Sequence, residues 1–164
     1  MNYITLKYIN QMENNKYKFF WKGQFSNWYL SDFTVNNIIF NCGEQYMMYA
    51  KAIFFNDIDT SRQILRTNIP AEQKALGRKV KNYDDSAWNE VRYDLVKKGL
   101  IEKFKQNEAL SKYLNQYKNY ELVEASPYDR IWGIGYSESD AMDNIDNWGT
   151  NLLGKILTEI ANNK

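Results

Sequence analysis

The feature that most constrains the fold is a stripe of apolar side chains between residues 85 and 105. Trp88, Val91, Leu95, Val96, Leu100 and Phe104 recur there at spacings of three, four and one. That rhythm gathers them on one side of a 3.6-residue helix and predicts a core-facing helix over 85–105. Gly99 interrupts the stripe at a cost of about 1 kcal/mol relative to alanine, because glycine loses the most backbone freedom on entering a helix. Lys97, Lys98, Lys103 and Lys105 read as the solvated face of the same helix.

Other segments carry shorter signals. From Glu44 to about residue 55 no breaker interrupts a run of helix-compatible residues, so a helix begins near Glu44. Short helices are expected over 62–66, over 70–78 with Pro70 in the first turn, and over 108–114. A terminal helix over 151–160 follows Gly149, and residues 120–123 read as a strand. Apolar runs at 3–9 and 17–21 flank a polar turn at 12–16, and Asn36-Asn37 interrupts the run 33–40. Both patterns suggest β-hairpins, since asparagine tolerates the positive φ of tight turns. The expected fold is therefore mainly α, with a small antiparallel β-sheet near the N-terminus. A chain of 164 residues suits one core, and no repeat or linker divides it, so a single domain over 1–164 is expected.

Composition limits the chemistry. With 21 basic against 20 acidic residues, the net charge of +1 gives no global reason to expect nucleic-acid or membrane binding. The first ten residues lack the apolar run of a signal peptide, and a soluble, cytoplasmic protein is expected. Cys42 is the one cysteine, which excludes an internal disulfide and a multi-cysteine zinc site. The chain contains no histidine, the commonest general base and metal ligand. Catalysis would have to use carboxylates, lysine, tyrosine or backbone dipoles. Thirteen tyrosines and five tryptophans are more polar-tipped aromatics than one such domain readily buries, so some should line a surface or pocket.

Three places concentrate groups able to do chemistry. The segment 124–135, Glu-Ala-Ser-Pro-Tyr-Asp-Arg-Ile-Trp-Gly-Ile-Gly, follows neither helical nor strand period and reads as a shaped ligand loop. Its Gly133-x-Gly135 lets a backbone approach a phosphate but falls short of a dinucleotide fingerprint. Glu44 sits in a first helical turn, where the dipole favours an ionised carboxylate. Lys51, seven positions on, returns to the same side about 10 Å along the axis. It is either a snorkelling surface lysine or a desolvated amine suited to phosphate binding or imine chemistry. Arg78 closes a helix as a C-terminal charge or a phosphate clamp, and Trp88 is either core or a ring stacked with Arg92.

The 124–135 loop resembles the YbiA-like family, also called the NADAR domain. So do the blocks Gly-Glu-Gln-Tyr-Met-Met-Tyr-Ala-Lys-Ala at 43–52 and Asn-Leu-Leu-Gly at 151–154. Phe-Ser-Asn-Trp-Tyr at 25–29, Ala-Leu-Gly-Arg at 75–78, Trp88 with Val91-Arg92-Tyr93, and Lys103-Phe104 fit the same pattern. The resemblance covers roughly 20–160 and implies a compact, largely helical single domain with a few strands. It implies an N-glycosidase that hydrolyses the ribose C1–N bond of a phosphoribosyl or ADP-ribosyl N-glycoside. The substrates expected first are phosphorylated ribosylamino-pyrimidine intermediates of riboflavin biosynthesis. ADP-ribosyl guanine in modified nucleic acid, or a non-catalytic ADP-ribose or nucleotide-binding module, is the alternative. Nucleic acid enters only as ADP-ribosylated substrate, and no membrane partner, cofactor or metal is expected.

Carried over position by position, the family pattern makes Glu44 the catalytic carboxylate and Asp129 a second one that orients ribose hydroxyls or water. Lys51 matches the family's Ala-Lys-Ala lysine and suggests a Schiff base with a ring-opened N-riboside. Ser26, Asn27, Trp28, Arg78, Trp88, Trp132, Gly133 and Asn151 are assigned to substrate binding. The chain departs from the pattern at Cys42-Gly43, where many members carry Ser or Ala before the helix glutamate. The acidic stretch 137–147 is expected to disfavour a long polyanion nearby and so to favour a small metabolite.

Overall fold

The computed structural model describes residues 16–163, so the apolar run at 3–9 and most of the turn at 12–16 lie outside the described residues. In chain order the elements are β1 (Tyr17–Phe20), β2 (Phe33–Val35), β3 (Ile38–Phe40), α1 (Gly43–Phe54), α2 (Ile58–Arg66) and α3 (Pro70–Gly77). There follow α4 (Asp85–Gln106), α5 (Glu108–Asn115), β4 (Glu121–Glu124), α6 (Glu138–Ala141), a 3-10 turn (Met142–Asn147) and α7 (Leu152–Asn162). The chain is mostly helical, as expected, and its strands form two small sheets. It gathers into two compact units, Ser26–Ser111 and the remainder on either side of it.

In the unit Ser26–Ser111, β2 and β3 form the expected antiparallel hairpin with Thr34 opposite Ile39. Asn36 and Asn37 both adopt positive φ, at 50° and 64°. Two successive left-handed residues give a turn whose twist matches the strands, and asparagine is among the few side chains that tolerate them. Helix α1 is the centre of this unit and packs against α2, α3 and α4. Helix α2 starts four residues before the expected 62, because Asp57 caps it by accepting from the Thr60 amide at 3.1 Å.

The long helix α4 is present as the stripe predicts, with Trp88, Val96, Leu100 and Phe104 buried. Gly99 has a packing reason. A Cβ there would lie 2.2 Å from two ring atoms of Tyr46, so the Tyr46 ring occupies the space a side chain would need. The Tyr46 hydroxyl then donates to the Leu95 carbonyl at 3.1 Å. One reading of α4 is corrected. Lys103 is not on a solvated face but is 1% exposed, because it lies seven residues after Val96 and three after Leu100, on the buried stripe itself.

In the other unit, β1 pairs with β4 in parallel, Tyr17 opposite Glu121 through Phe20 opposite Glu124. The expected hairpin partner of β1 was the run at 3–9; among the described residues its partner is β4. A parallel pair requires a long crossover rather than a tight turn, and nothing in the local alternation signals it. Helix α7 packs on β4, burying Leu122, Val123, Leu153, Ile156 and Leu157. The acidic stretch 137–147 forms α6 and the 3-10 turn. It is anchored by Trp148, whose indole donates to the Ala141 carbonyl at 2.8 Å and whose ring meets Tyr17 and Phe19 edge-on.

Candidate functional site

Glu44 lies in the first turn of α1 and is 3% exposed. A buried polar network holds that helix end. Cys42 is the N-cap; its sulfur accepts from the Gln45 amide at 3.4 Å, and its thiol donates to Gln73 Oε1 at 3.1 Å. The Gln73 amide nitrogen donates to Asn41 Oδ1 and to the Thr67 carbonyl, at 3.0 and 2.8 Å. Gln45 accepts from the Asn41 amide at 2.8 Å and donates to the carbonyls of Ile64 and Thr67, both at 3.1 Å. Every polar group so named is paired, which makes the network rigid rather than costly. The Cys42 thiol is pushed above its usual 9.0 by burial; the Lys103 charge opposes that rise and the Glu44 charge adds to it.

The turn 26–29 packs over this helix end. The Glu44 amide donates to the Asn27 carbonyl at 2.9 Å, satisfying one of the donors a helix leaves open at its start. Gly43 makes this approach possible, since a Cβ there would meet Asn27 Oδ1 at 2.6 Å. From α4, Lys103 Nζ donates to the carbonyls of Tyr29 at 3.1 Å and Ser26 at 3.4 Å. Burial brings that ammonium down to about 8, against a smaller upward pull from Cys42. Asn27 is buried, yet its side-chain oxygen accepts no hydrogen bond among the described residues. Ser26 Oγ accepts from the Trp28 amide at 3.1 Å, and Trp28 itself is 44% exposed. Ser26, Asn27 and Glu44 are therefore brought together, with Trp28 at the rim.

Lys51 belongs to a second cluster at the other end of α1. Its ammonium donates to the Gly77 carbonyl at 2.9 Å and lies 4.0 Å from the centre of the Tyr83 ring. Half-burial pulls its pKa below the usual 10.5, with Asp85 pulling the other way. Tyr83 donates to Asp85 at 2.7 Å; burial and then that hydrogen bond push the phenol up to about 12. Trp88 is 5% exposed and its ring meets Phe54 and Phe55, so it packs in the core beside this cluster. Arg78 is exposed and caps α3.

In the unit that holds β4, the remaining predicted residues cluster in one loop. Asp129 Oδ1 accepts from the amides of Ile131 and Trp132, at 2.9 and 2.8 Å, and so shapes the turn that carries them. Gly133 sits where a Cβ would be 2.7 Å from the Glu124 carbonyl. Asn151 has left-handed φ at 50°, and both ends of its side chain are committed to β4. It accepts from the Glu124 amide and donates to the Leu122 carbonyl, both at 3.0 Å. Arg130 donates to the Asn147 carbonyl at 2.6 Å and holds the loop. Sequence reasoning missed Lys103, Gln45, Gln73 and Tyr83; only Lys103 carried a readable signal, its place on the α4 stripe. Among the described residues no set of three or more acidic or thiol side chains is gathered in a metal-binding arrangement.

The NADAR domain matches residues 17–163. The chain belongs to the NADAR domain family. This NADAR chain is 39% identical to N-glycosidase R617 of Acanthamoeba polyphaga mimivirus, over 91% of its own length and 96% of that protein. It is 34% identical to protein irg-1 of Caenorhabditis elegans, with 95% and 83% of the two chains covered. It is 29% identical to riboflavin biosynthesis protein VVA0006 of Vibrio vulnificus, where the match takes in 82% of this chain but spans only 34% of that protein. The NMR structure of the Escherichia coli protein YbiA shares the fold. Its TM-score is 0.74 at 25% identity, covering 89% of this chain and 83% of that one. The NADAR fold here contains, among the described residues, no helix long and apolar enough to cross a membrane.

Proposed function

We propose that this protein is an N-glycosidase that hydrolyses the ribose C1–N bond of a phosphorylated N-riboside, with Glu44 as its catalytic carboxylate. The observation that carries the reading is the position of Glu44: buried to 3% in the first turn of α1, beneath a turn strapped by its own amide. A helix start favours a carboxylate by about 0.3–1 kcal/mol when exposed and up to about 2 kcal/mol when partly buried. A fixed anion of this kind stabilises the oxocarbenium-like state of glycoside cleavage and takes a proton from the attacking water. The water oxygen bonds to C1, the C1–N electron pair leaves with the nitrogen, and the nitrogen takes up a proton. A relative named N-glycosidase and a second named for riboflavin biosynthesis support this bond and this substrate class.

Lys51 enters as the amine of a two-step variant of the same hydrolysis. Burial lowers its pKa, which increases the share of free amine at neutral pH. Its Nζ adds to C1 of the ring-opened riboside, the base nitrogen departs, and water then hydrolyses the Schiff base. In the unit Ser26–Ser111, Ser26, Asn27, Trp28, Arg78 and Trp88 are assigned to substrate binding; in the other unit Asp129 is assigned to orienting water or ribose hydroxyls, and Trp132, Gly133 and Asn151 to binding. The family match over 17–163 supports reading both compact units as one NADAR domain.

Among phosphorylated ribosides, the preferred substrates are ribosylamino-pyrimidine phosphates. Glu138, Asp140, Asp143 and Asp146 are all exposed along one short segment, and their charge opposes a nucleic-acid backbone there. Charged phosphate esters do not cross membranes unaided, so the reaction is placed in the cytoplasm. The test is release of ribose phosphate from a ribosylaminouracil phosphate, run beside release of ADP-ribose from an ADP-ribosylated guanine oligonucleotide. Preference for the first supports the reading. Background rates on both, with ADP-ribose still bound, would instead make the protein a binding module.

A further inference from the structure

Lys103 is the feature of this molecule that the proposed chemistry leaves unused. It is 1% exposed, and its ammonium is held by two backbone carbonyls, those of Ser26 and Tyr29, which bracket Asn27. An ammonium is strongly hydrated, and burying one costs several kcal/mol unless its donors are met. A methionine would fill the same volume without that cost. The Lys103 charge interacts electrostatically with the Cys42 thiol, as does the Glu44 carboxylate; the Tyr29 ring lies 5.9 Å from the ammonium. Between the two carbonyls it holds, the buried Asn27 keeps a side-chain oxygen that no described group donates to.

We propose that Lys103 is a positioning residue, whose ammonium clamps the 26–29 turn onto the start of α1 and so presents Asn27 Oδ1 to a hydrogen-bond donor on the substrate. A clamp matters here because Asn27 contributes through two atoms with different surroundings. Its carbonyl is tied to the Glu44 amide, while its side-chain oxygen, close to Gly43, receives no hydrogen bond from any described group. Without a hold on the flanking carbonyls, that oxygen is free to turn toward water, where it would recover a hydrogen bond. Clamped, it selects for ligands bearing a donor, such as a ribose hydroxyl or the exocyclic amine of a ribosylamine. This inference rests on the N-glycosidase reading for the identity of the ligand, but the clamp itself is tested without it.

The test combines amide hydrogen exchange with a double-mutant cycle. In Lys103→Met the Glu44 amide should lose about tenfold or more of its protection while the Tyr49 amide, deeper in α1, keeps its own. In kinetics on a ribosylaminouracil phosphate, Lys103→Met should lower kcat/KM about tenfold in the wild-type background and less than about twofold when Asn27 is already alanine, because both changes act through one oxygen. Lys103→Arg keeps the charge and should retain more activity and more Glu44 protection than Lys103→Met. Equal losses in both backgrounds, an intact Glu44 amide in Lys103→Met, or a better-behaved methionine than arginine would each overturn the proposal. If Lys103→Met does not fold, wild-type-like protection of Glu44 in Lys103→Arg supports the clamp and its loss refutes it. A wild-type protein inactive on the riboside refutes the N-glycosidase reading, while the exchange result still decides the clamp.

Discussion

Replacing Gly43 by alanine separates the stability of α1 from the organisation of its active end. The added methyl carbon would lie 2.6 Å from Asn27 Oδ1, 3.2 Å from Leu100 Cδ2 and 3.3 Å from Asn27 Cα. Ordinary contact begins at 3.4 Å, so the Asn27 oxygen must retreat by about 0.8 Å while the other two atoms give by a few tenths of an ångström. Overpacking of this kind typically costs about 1–3 kcal/mol, with the low end appropriate where a side-chain terminus can rotate away. Against it, alanine regains up to about 1 kcal/mol of helix propensity over glycine. The two terms nearly cancel, and Gly43→Ala should change the unfolding free energy by no more than about 1 kcal/mol.

Catalytic efficiency should not be spared. The displaced oxygen is the one presented to substrate, and the backbone it hangs from accepts the Glu44 amide at 2.9 Å. Loss of one oriented hydrogen bond together with a misplaced carboxylate should lower kcat/KM by about tenfold to a hundredfold. Thermal and urea unfolding read the first quantity, and ribose phosphate release reads the second. An alanine variant with full activity would refute the argument that Gly43 makes room for a working Asn27. A variant destabilised by several kcal/mol would refute the claim that the severe clash is with a side-chain end that can rotate away.

Three further outcomes are expected. Gly99→Ala drives a methyl into the Tyr46 ring at 2.2 Å and threatens the Tyr46–Leu95 hydrogen bond, so chemical denaturation should show a loss of about 2–4 kcal/mol. Borohydride added during turnover should trap an adduct on wild-type protein and none on Lys51→Ala; an active enzyme that never yields an adduct removes the imine route. Lys103 has its folded pKa depressed to about 8 from 10.5, so between those values the unfolded chain binds more protons and this group makes stability rise with pH. Below pH 9.0, before the unfolded Cys42 thiol ionises and pulls the other way, wild-type stability should climb from pH 8, and the climb should be smaller in Lys103→Met, where Lys51, also depressed by burial, still contributes with the same sign.

Where local pattern and tertiary demand agree, the elements were legible in the sequence. The α4 stripe, the Asn36-Asn37 turn and Pro70 at the head of α3 each state their own structure, and helix α1 begins one residue before Glu44. The parallel pairing of β1 with β4 was not legible, because a contact across a hundred residues leaves no local period. Lys103 was misread for a different reason: charge argued for solvent, while position on the stripe argued for the core, and position won. The departure at Gly43 was visible as a difference from the family pattern. Its physical meaning, room for Asn27, needed the fold. Likewise the family resemblance singled out Asp129 as a second carboxylate and Asn151 as a binding residue, while the engagement of Asp129 Oδ1 and of the whole Asn151 side chain with backbone needed the fold.

The central claim is that Glu44 drives cleavage of a ribosyl C1–N bond, and Glu44→Gln tests it most directly because glutamine keeps the shape and loses the charge. Wild-type protein and the variant are given the same ribosylaminouracil phosphate, and ribose phosphate release is followed with fold integrity checked by thermal melting. The account predicts release by the wild type and a fall in kcat of at least about a hundredfold in a variant that melts normally. A folded Glu44→Gln enzyme that turns over at the wild-type rate would contradict it.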